Sequence, residues 1–83
     1  LNQTLGAKMK PYDVVQVIAL RDERFSKSNA GYERNPCIGD IGTIIDVYSN
    51  PEPAFEVECS DSNGITIWLA AMYPEELKLS GQS

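Results

Sequence analysis

Acid–base chemistry needs a titratable side chain held against a substrate, and histidine supplies it most often. This 83-residue chain has no histidine. What remains is a set of carboxylates and two cysteines. Glu56 and Glu58 stand two apart in Ala54-Phe55-Glu56-Val57-Glu58-Cys59, a spacing that puts both carboxylates on one face of a strand. Such a pair could share a proton, but a solvated acidic stripe has the same pattern. Cys37 could be a nucleophile only with its pKa lowered, and the nearby Arg34 is weak support for that. Cys37 and Cys59 make no paired CxxC motif, and without histidine a zinc site is excluded. Gly39-Asp40-Ile41-Gly42 lacks the Lys-Ser/Thr ending of a phosphate loop and leads into a strand rather than a helix. No residue is assigned to catalysis, to a metal or to a cofactor, and the chain reads as non-enzymatic.

The charge distribution narrows the partners. Up to Arg34 there are six basic residues against four acids; from Asn35 onward Lys78 stands alone against eight acids. Binding phosphates through counterion release needs clustered Lys and Arg, so nucleic acid is not the expected partner. A solvated acidic face that aids solubility is one reading of this surface; docking onto a basic protein is the sharper one. No apolar run approaches the ~18 residues of a membrane span. Two cysteines are too few for a disulfide framework. Free thiols point to a reducing compartment, the cytoplasm.

The elements that would position any site are mostly strands. Eighty-three residues hold one domain. Asp13 to Leu20 is dense in β-branched residues, and both of its alternating sets are mainly apolar, so its outward set presents Val14 and Ile18 to something other than water. Arg21 to Pro36 is a long, charged connection holding Phe25 and Tyr32. Connections of this length are often functional. If the loop is ordered, one of these aromatics folds back as a staple; if not, both are anchors for a partner.

Gly39 and Gly42 bracket an acid in a tight turn that needs positive φ or close backbone approach. Thr43 to Tyr48 follows as a strand, with Thr43, Ile45 and Val47 on one face and Ile44, Asp46 and Tyr48 on the other. Ala54 to Cys59 alternates cleanly, with Phe55, Val57 and Cys59 inward. Asn63-Gly64 marks a hairpin, and Ile65 to Ala70 pairs back. Pro74-Glu75-Glu76 begins a single helical turn, and Leu77 and Leu79 add a short closing strand. Residues 1–11 read as a leader or flexible N-terminus, with Met9 as one candidate start; 12–79 as the domain, and 80–83 as a tail.

The expected fold is all-β: a small five-stranded SH3-like barrel with a long first loop and one short helical turn before the last strand. The run Asp13-Val14-Val15, Gly39-Asp40-Ile41-Gly42-Thr43-Ile44, Val47-Tyr48, Phe55-Glu56-Val57-Glu58, Gly64-Ile65-Thr66 and Pro74-Glu75-Glu76-Leu77 resembles a family of small bacterial proteins. That family is a domain of unknown function with an SH3-like barrel. The Gly39-Asp40-x-Gly42-Thr43 piece is also similar to the turn in KOW-type and nitrile-hydratase-β-like barrels. The chain departs from the family pattern in its longer loop before Cys37 and in Trp68, where an aliphatic residue is expected. The resemblance implies fold and no known reaction.

A non-catalytic protein-interaction or accessory module, self-associating as a homo-oligomer, is the expected function. Its candidate surface is Val14, Ile18, Tyr48 and Trp68 with Phe25 and Tyr32 of the loop, because Trp and Tyr dominate interface hot spots. Trp68 is open to two readings, surface or core. Nucleic-acid binding by analogy to KOW barrels is the alternative, a weak warrant from fold alone. Small-ligand binding at the barrel mouth near Phe25 and Tyr32 is a third.

Overall fold

The structure, a computed structural model, describes residues 8–27 and 31–80; the expectations for 1–7 and 81–83 lie outside them. The β-branched runs become five strands: β1 (Val14–Val17), β2 (Ile41–Tyr48), β3 (Ala54–Ser60), β4 (Thr66–Met72) and β5 (Leu77–Leu79). A 3-10 turn, Pro74–Glu76, precedes β5, started by a proline where no N–H is needed. The strands form one sheet in the order β4-β3-β2-β1-β5, every neighbour antiparallel. The expected all-β class, five strands with a long first connection and a helical turn before the last, is what the chain adopts.

β1 is shorter than the apolar run suggests, and the reason lies in its partner. β2 begins only at Ile41, and the turn before it takes over at Val17. The Val17 N–H donates to the Asp40 carbonyl (2.9 Å) and the Gly39 N–H donates to the Val17 carbonyl (2.7 Å). Beyond that point the sheet offers the chain nothing further on this side.

Val15, Val17, Ile44, Phe55, Val57, Cys59, Trp68, Met72 and Leu77 form one buried cluster. All five strands contribute to it, which a flat sheet could not allow, so the sheet curls around the cluster. The inward set of β4 is the one holding Trp68 and Met72, both fully buried. In β2 the alternation is interrupted: the register with β3 shifts between Ile44 and Asp46. Val47, grouped by sequence with Thr43 and Ile45, therefore pairs with the buried Phe55.

The two glycines of the turn serve different needs. Gly39 has φ +100°, a conformation L side chains rarely adopt. Gly42 has an ordinary φ but no room: a Cβ there would sit 2.7 Å from Val57 Cγ1 and 2.8 Å from the Glu58 carbonyl oxygen. Val57 could rotate, whereas the carbonyl belongs to the β3 ladder and cannot yield without moving the strand. Gly42→Ala should therefore cost about 1–3 kcal/mol, the usual range for overpacking. Urea unfolding should show a lower midpoint at an unchanged slope; an unshifted midpoint would refute the close-approach account.

Candidate functional site

The long connection is clamped down at Glu76. This carboxylate is fully buried and accepts four hydrogen bonds. Arg24 Nη2 donates to Oε1 (2.6 Å) and Nη1 to Oε2 (3.0 Å), while the backbone N–H groups of Arg21 and Tyr73 donate at 2.8 Å each. Burial pushes its carboxyl up, but Arg24 and the two N–H groups outweigh it and hold the group below its ordinary value. Arg21 is pinned between Glu52 (2.7 Å) and Glu75 (2.9 Å), with its Cζ 3.3 Å from the Tyr73 ring centre. Arg24 lies 4.3 Å over Phe25, which is half-buried against the core. Phe25 is the staple.

The same connection covers the outer edge of β4. Arg24 Nη2 donates to the Ala71 carbonyl (3.2 Å), and the N–H groups of Glu33 and Arg34 both reach the Ile67 carbonyl (3.1 and 3.4 Å). Asn35 ties the two halves of the connection by donating to the carbonyls of Phe25 and Lys27. An uncovered edge strand is a template for unwanted pairing, and much of this loop is spent preventing that.

Asp40 is the second hub. Arg34 grips it in a two-point fork (2.8 and 3.0 Å), the Cys37 N–H donates to it at 2.9 Å, and Trp68 Nε1 donates at 2.8 Å. Burial raises its carboxyl, and these donors bring it below its ordinary value. Trp68 is therefore core, and as a surface residue of the candidate site it is withdrawn. Its one polar atom has found a buried-side partner, which is what lets so large a ring sit inside. Cys59 is buried, and burial, then Asp40, push its thiol up, so it is an inert hydrophobe. Cys37 is exposed, but Arg34 is committed to Asp40.

Glu56 and Glu58 are engaged separately. Tyr48 donates its hydroxyl to Glu56 (3.0 Å), which raises the phenol, and Thr66 donates to Glu58. Among the described residues no group of three or more His, Cys, Asp or Glu could hold a metal ion. None of the helices among them is long and apolar enough to cross a membrane.

The remaining candidates fall into two places. Val14 lies on the outward set of β1, half-buried, and Ile18, one residue past its end, is 45% exposed. Val14 sits opposite Thr43, and Tyr48, 39% exposed, is further along β2 by about 17 Å at ordinary strand rise. Tyr32, also 39% exposed, belongs to the loop. Three exposed isoleucines that sequence reasoning left out are Ile41 and Ile45 of β2 and Ile38 in the turn before it. Ile41 is directly opposite Gln16, two residues from Ile18. The adjacent Ile44 and Ile45 gave no way to tell which was inward before the bulge was known. Tyr12 was also missed; it is 81% exposed with φ 75°, its N–H donating to the Ile44 carbonyl (2.7 Å).

Two grooves, each of about 560 Å³, meet at Met9 and Pro74. One follows β5, lined by Ile18, Leu77 and Leu79 with Glu75 and Lys78; the other runs past Pro11, Val47 and Phe55 with Lys8 and Lys10. Neither is lined by Phe25 or Tyr32.

A family model matches residues 12–79, the span that contains the Glu76 clamp, the Asp40 hub and all five strands. The chain belongs to DUF4926, a domain of unknown function. No curated protein and no solved structure gives a match. The DUF4926 span starts at Tyr12, so the Lys8–Pro11 side of the grooves lies outside it, whereas β5 and both hubs lie within.

Proposed function

We propose that this DUF4926 protein is a non-catalytic protein-interaction module of SH3-like architecture that self-associates through the outer face of β1 and β2. The observation that carries this reading is the number of exposed apolar side chains on and beside β1 and β2, Ile18, Ile38, Ile41, Ile45 and Tyr48, interspersed with Gln16, Thr43 and Asp46. Exposed apolar side chains gathered in one region of a small domain support an interaction role, and a core of this size gains from being supplemented by a second copy. The strand order and the long first connection support the SH3-like assignment. The unpaired thiols and the resemblance to small bacterial proteins support a bacterial, cytoplasmic setting.

Nucleic acid is disfavoured on the structure as well as on net charge. Arg21, Arg24 and Arg34 are all committed to carboxylates of their own chain, so they are poor phosphate ligands.

Light scattering behind size exclusion, from micromolar to high-micromolar protein, tests the reading. The expected mass exceeds one chain, and the Ile41→Asp/Ile45→Asp double variant returns it to a monomer. A wild-type protein that stays monomeric throughout would remove self-association.

A further inference from the structure

The two edges of the sheet are treated differently. The edge of β4 is covered by the long connection, which takes up the Ile67 and Ala71 carbonyls. Among the described residues β5 has no such cover. Ser80 N–H donates to the Val14 carbonyl and Ile18 N–H to the Glu76 carbonyl (2.8 Å each). These are alternate rungs of the register that pairs Gln16 with Lys78, so Lys78 turns its backbone groups towards β1. Leu77 and Leu79 turn theirs away from it. The Leu77 N–H is used by the Pro74 carbonyl. The Leu77 carbonyl and both backbone groups of Leu79 have no backbone partner among the described residues.

An apolar groove runs along this free edge, lined by Met9, Ile18, Pro74, Leu77 and Leu79. Its charges are not balanced. Glu75 is neutralised by Arg21 (2.9 Å) and Lys10, in the adjoining groove, by Asp13 (2.8 Å). Lys78 on the groove and Lys8 beside it have no ion-pair partner among the described residues. In a chain of net charge −5, this is a local excess of cation.

We propose that the β5 edge is a docking site for an extended acidic segment of a partner protein, which adds a strand beside β5. Main-chain bonds to Leu77 and Leu79 would give the pairing, the groove would take alternate apolar side chains, and Lys78 and Lys8 would select for acids. A second copy of this chain is a poor occupant in the register that uses the whole of β5. The two-fold register that pairs Leu77 with Leu79 sets two Lys78 side chains directly opposite each other, which is destabilising. The lysine that discourages self-pairing favours an acidic strand. This site shares Ile18 with the outer-face set and is otherwise built from different residues.

The test uses the full chain, ¹⁵N-labelled, and a capped synthetic peptide alternating glutamate and valine. The Leu79 amide should shift saturably and its exchange with solvent should slow as peptide is added, the affinity falling as salt is raised. A peptide with lysine in place of glutamate should bind about fivefold more weakly or worse, and Lys78→Glu should cost the acidic peptide a similar factor. Lys78→Gln, a milder change at an exposed position, should fall between. The uncharged Ile41→Ser/Ile45→Ser variant should bind the peptide as the wild type does, so this site and the outer-face reading can fail independently.

Four results would overturn the proposal. They are no saturable shift at Leu79 up to several millimolar peptide, and equal binding of both peptides. A Leu79 amide already protected in dilute, peptide-free protein would show the chain's own residues on the edge. A Leu79 shift that follows protein concentration alone would show a second copy there.

Discussion

Truncating Glu76 to alanine should lower the unfolding free energy by about 2–4 kcal/mol, because buried N–H groups left without an acceptor cost about 1–3 kcal/mol each and a partly exposed ion pair goes with them. Small domains are stable by about 5–15 kcal/mol in total, so the variant would lose a large share of its stability and approach unfolding at the lower end of that range. The loss falls mainly on two donors left without an acceptor, the N–H groups of Arg21 and Tyr73, while the Arg24 guanidinium is reduced to Asp22 and the Ala71 carbonyl. The truncation also loosens the loop from β4, since Arg24, which carries the contact to the Ala71 carbonyl, loses its hold on Glu76. Replacing the pair jointly, Arg24→Met with Glu76→Leu, should recover part of the loss by refilling the site with apolar volume. Recovery should be incomplete, because the two N–H groups still lack an acceptor.

The same carboxylate makes stability depend on acid. Its folded pKa lies below the ordinary 4.5, so the unfolded chain binds its proton first as pH falls. Glu76 therefore stabilises fully above about pH 4.5 and loses its contribution as pH drops below that towards its folded value. Asp40, also held below its ordinary 3.8, acts in the same direction slightly further down. Urea midpoints followed from pH 7 to pH 3 should fall over this window, and Glu76→Gln should flatten the upper part of the fall. A wild-type stability unchanged between pH 5 and pH 3 would contradict the clamp.

The sequence showed the strands more plainly than the clamps, for a physical reason. Strands announce themselves through local periodicity: the alternation in Phe55-Glu56-Val57-Glu58-Cys59 and the Asn63-Gly64 turn need no distant information. The sheet-order neighbours of the clamps are set by chain topology. Arg24 meets Glu76 across 52 positions and Trp68 meets Asp40 across 28, and no local pattern encodes either pairing. An acid and an arginine in a charged loop are ordinary surface residues until the fold buries one of them. Asp40 illustrates the halfway case. Its glycine-flanked setting marked a turn, with Gly39 and Gly42 meeting the two expected needs, yet nothing local showed that its carboxylate would collect three partners. Trp68 was ambiguous for the related reason that β4 has two apolar faces, Ile67-Leu69-Ala71 and Trp68-Ala70-Met72. Only the curl of the sheet selects the second.

That selection makes Trp68→Ala the other severe substitution, at about 3–5 kcal/mol for emptying a large aromatic site in a packed core. Cavity formation is one part of this. Loss of the Nε1 donor is another, and Trp68→Phe separates them by keeping most of the apolar volume while deleting the bond to Asp40. A hydrogen bond to a charged group contributes about 1.5–3 kcal/mol, so Phe should lose less than Ala and still be measurably unstable. Asp40 would keep Arg34 and the Cys37 N–H, so it should remain a carboxylate at neutral pH, titrating closer to its ordinary value than in the wild type. The measurement is convenient because Trp68 is the chain's sole tryptophan. Its wild-type emission should be that of a ring shielded from water and should move to the red in one step with unfolding. Emission at the solvent-exposed position in the native protein, or a Phe variant as stable as the wild type, would put the ring outside the core and return it to the interaction surface.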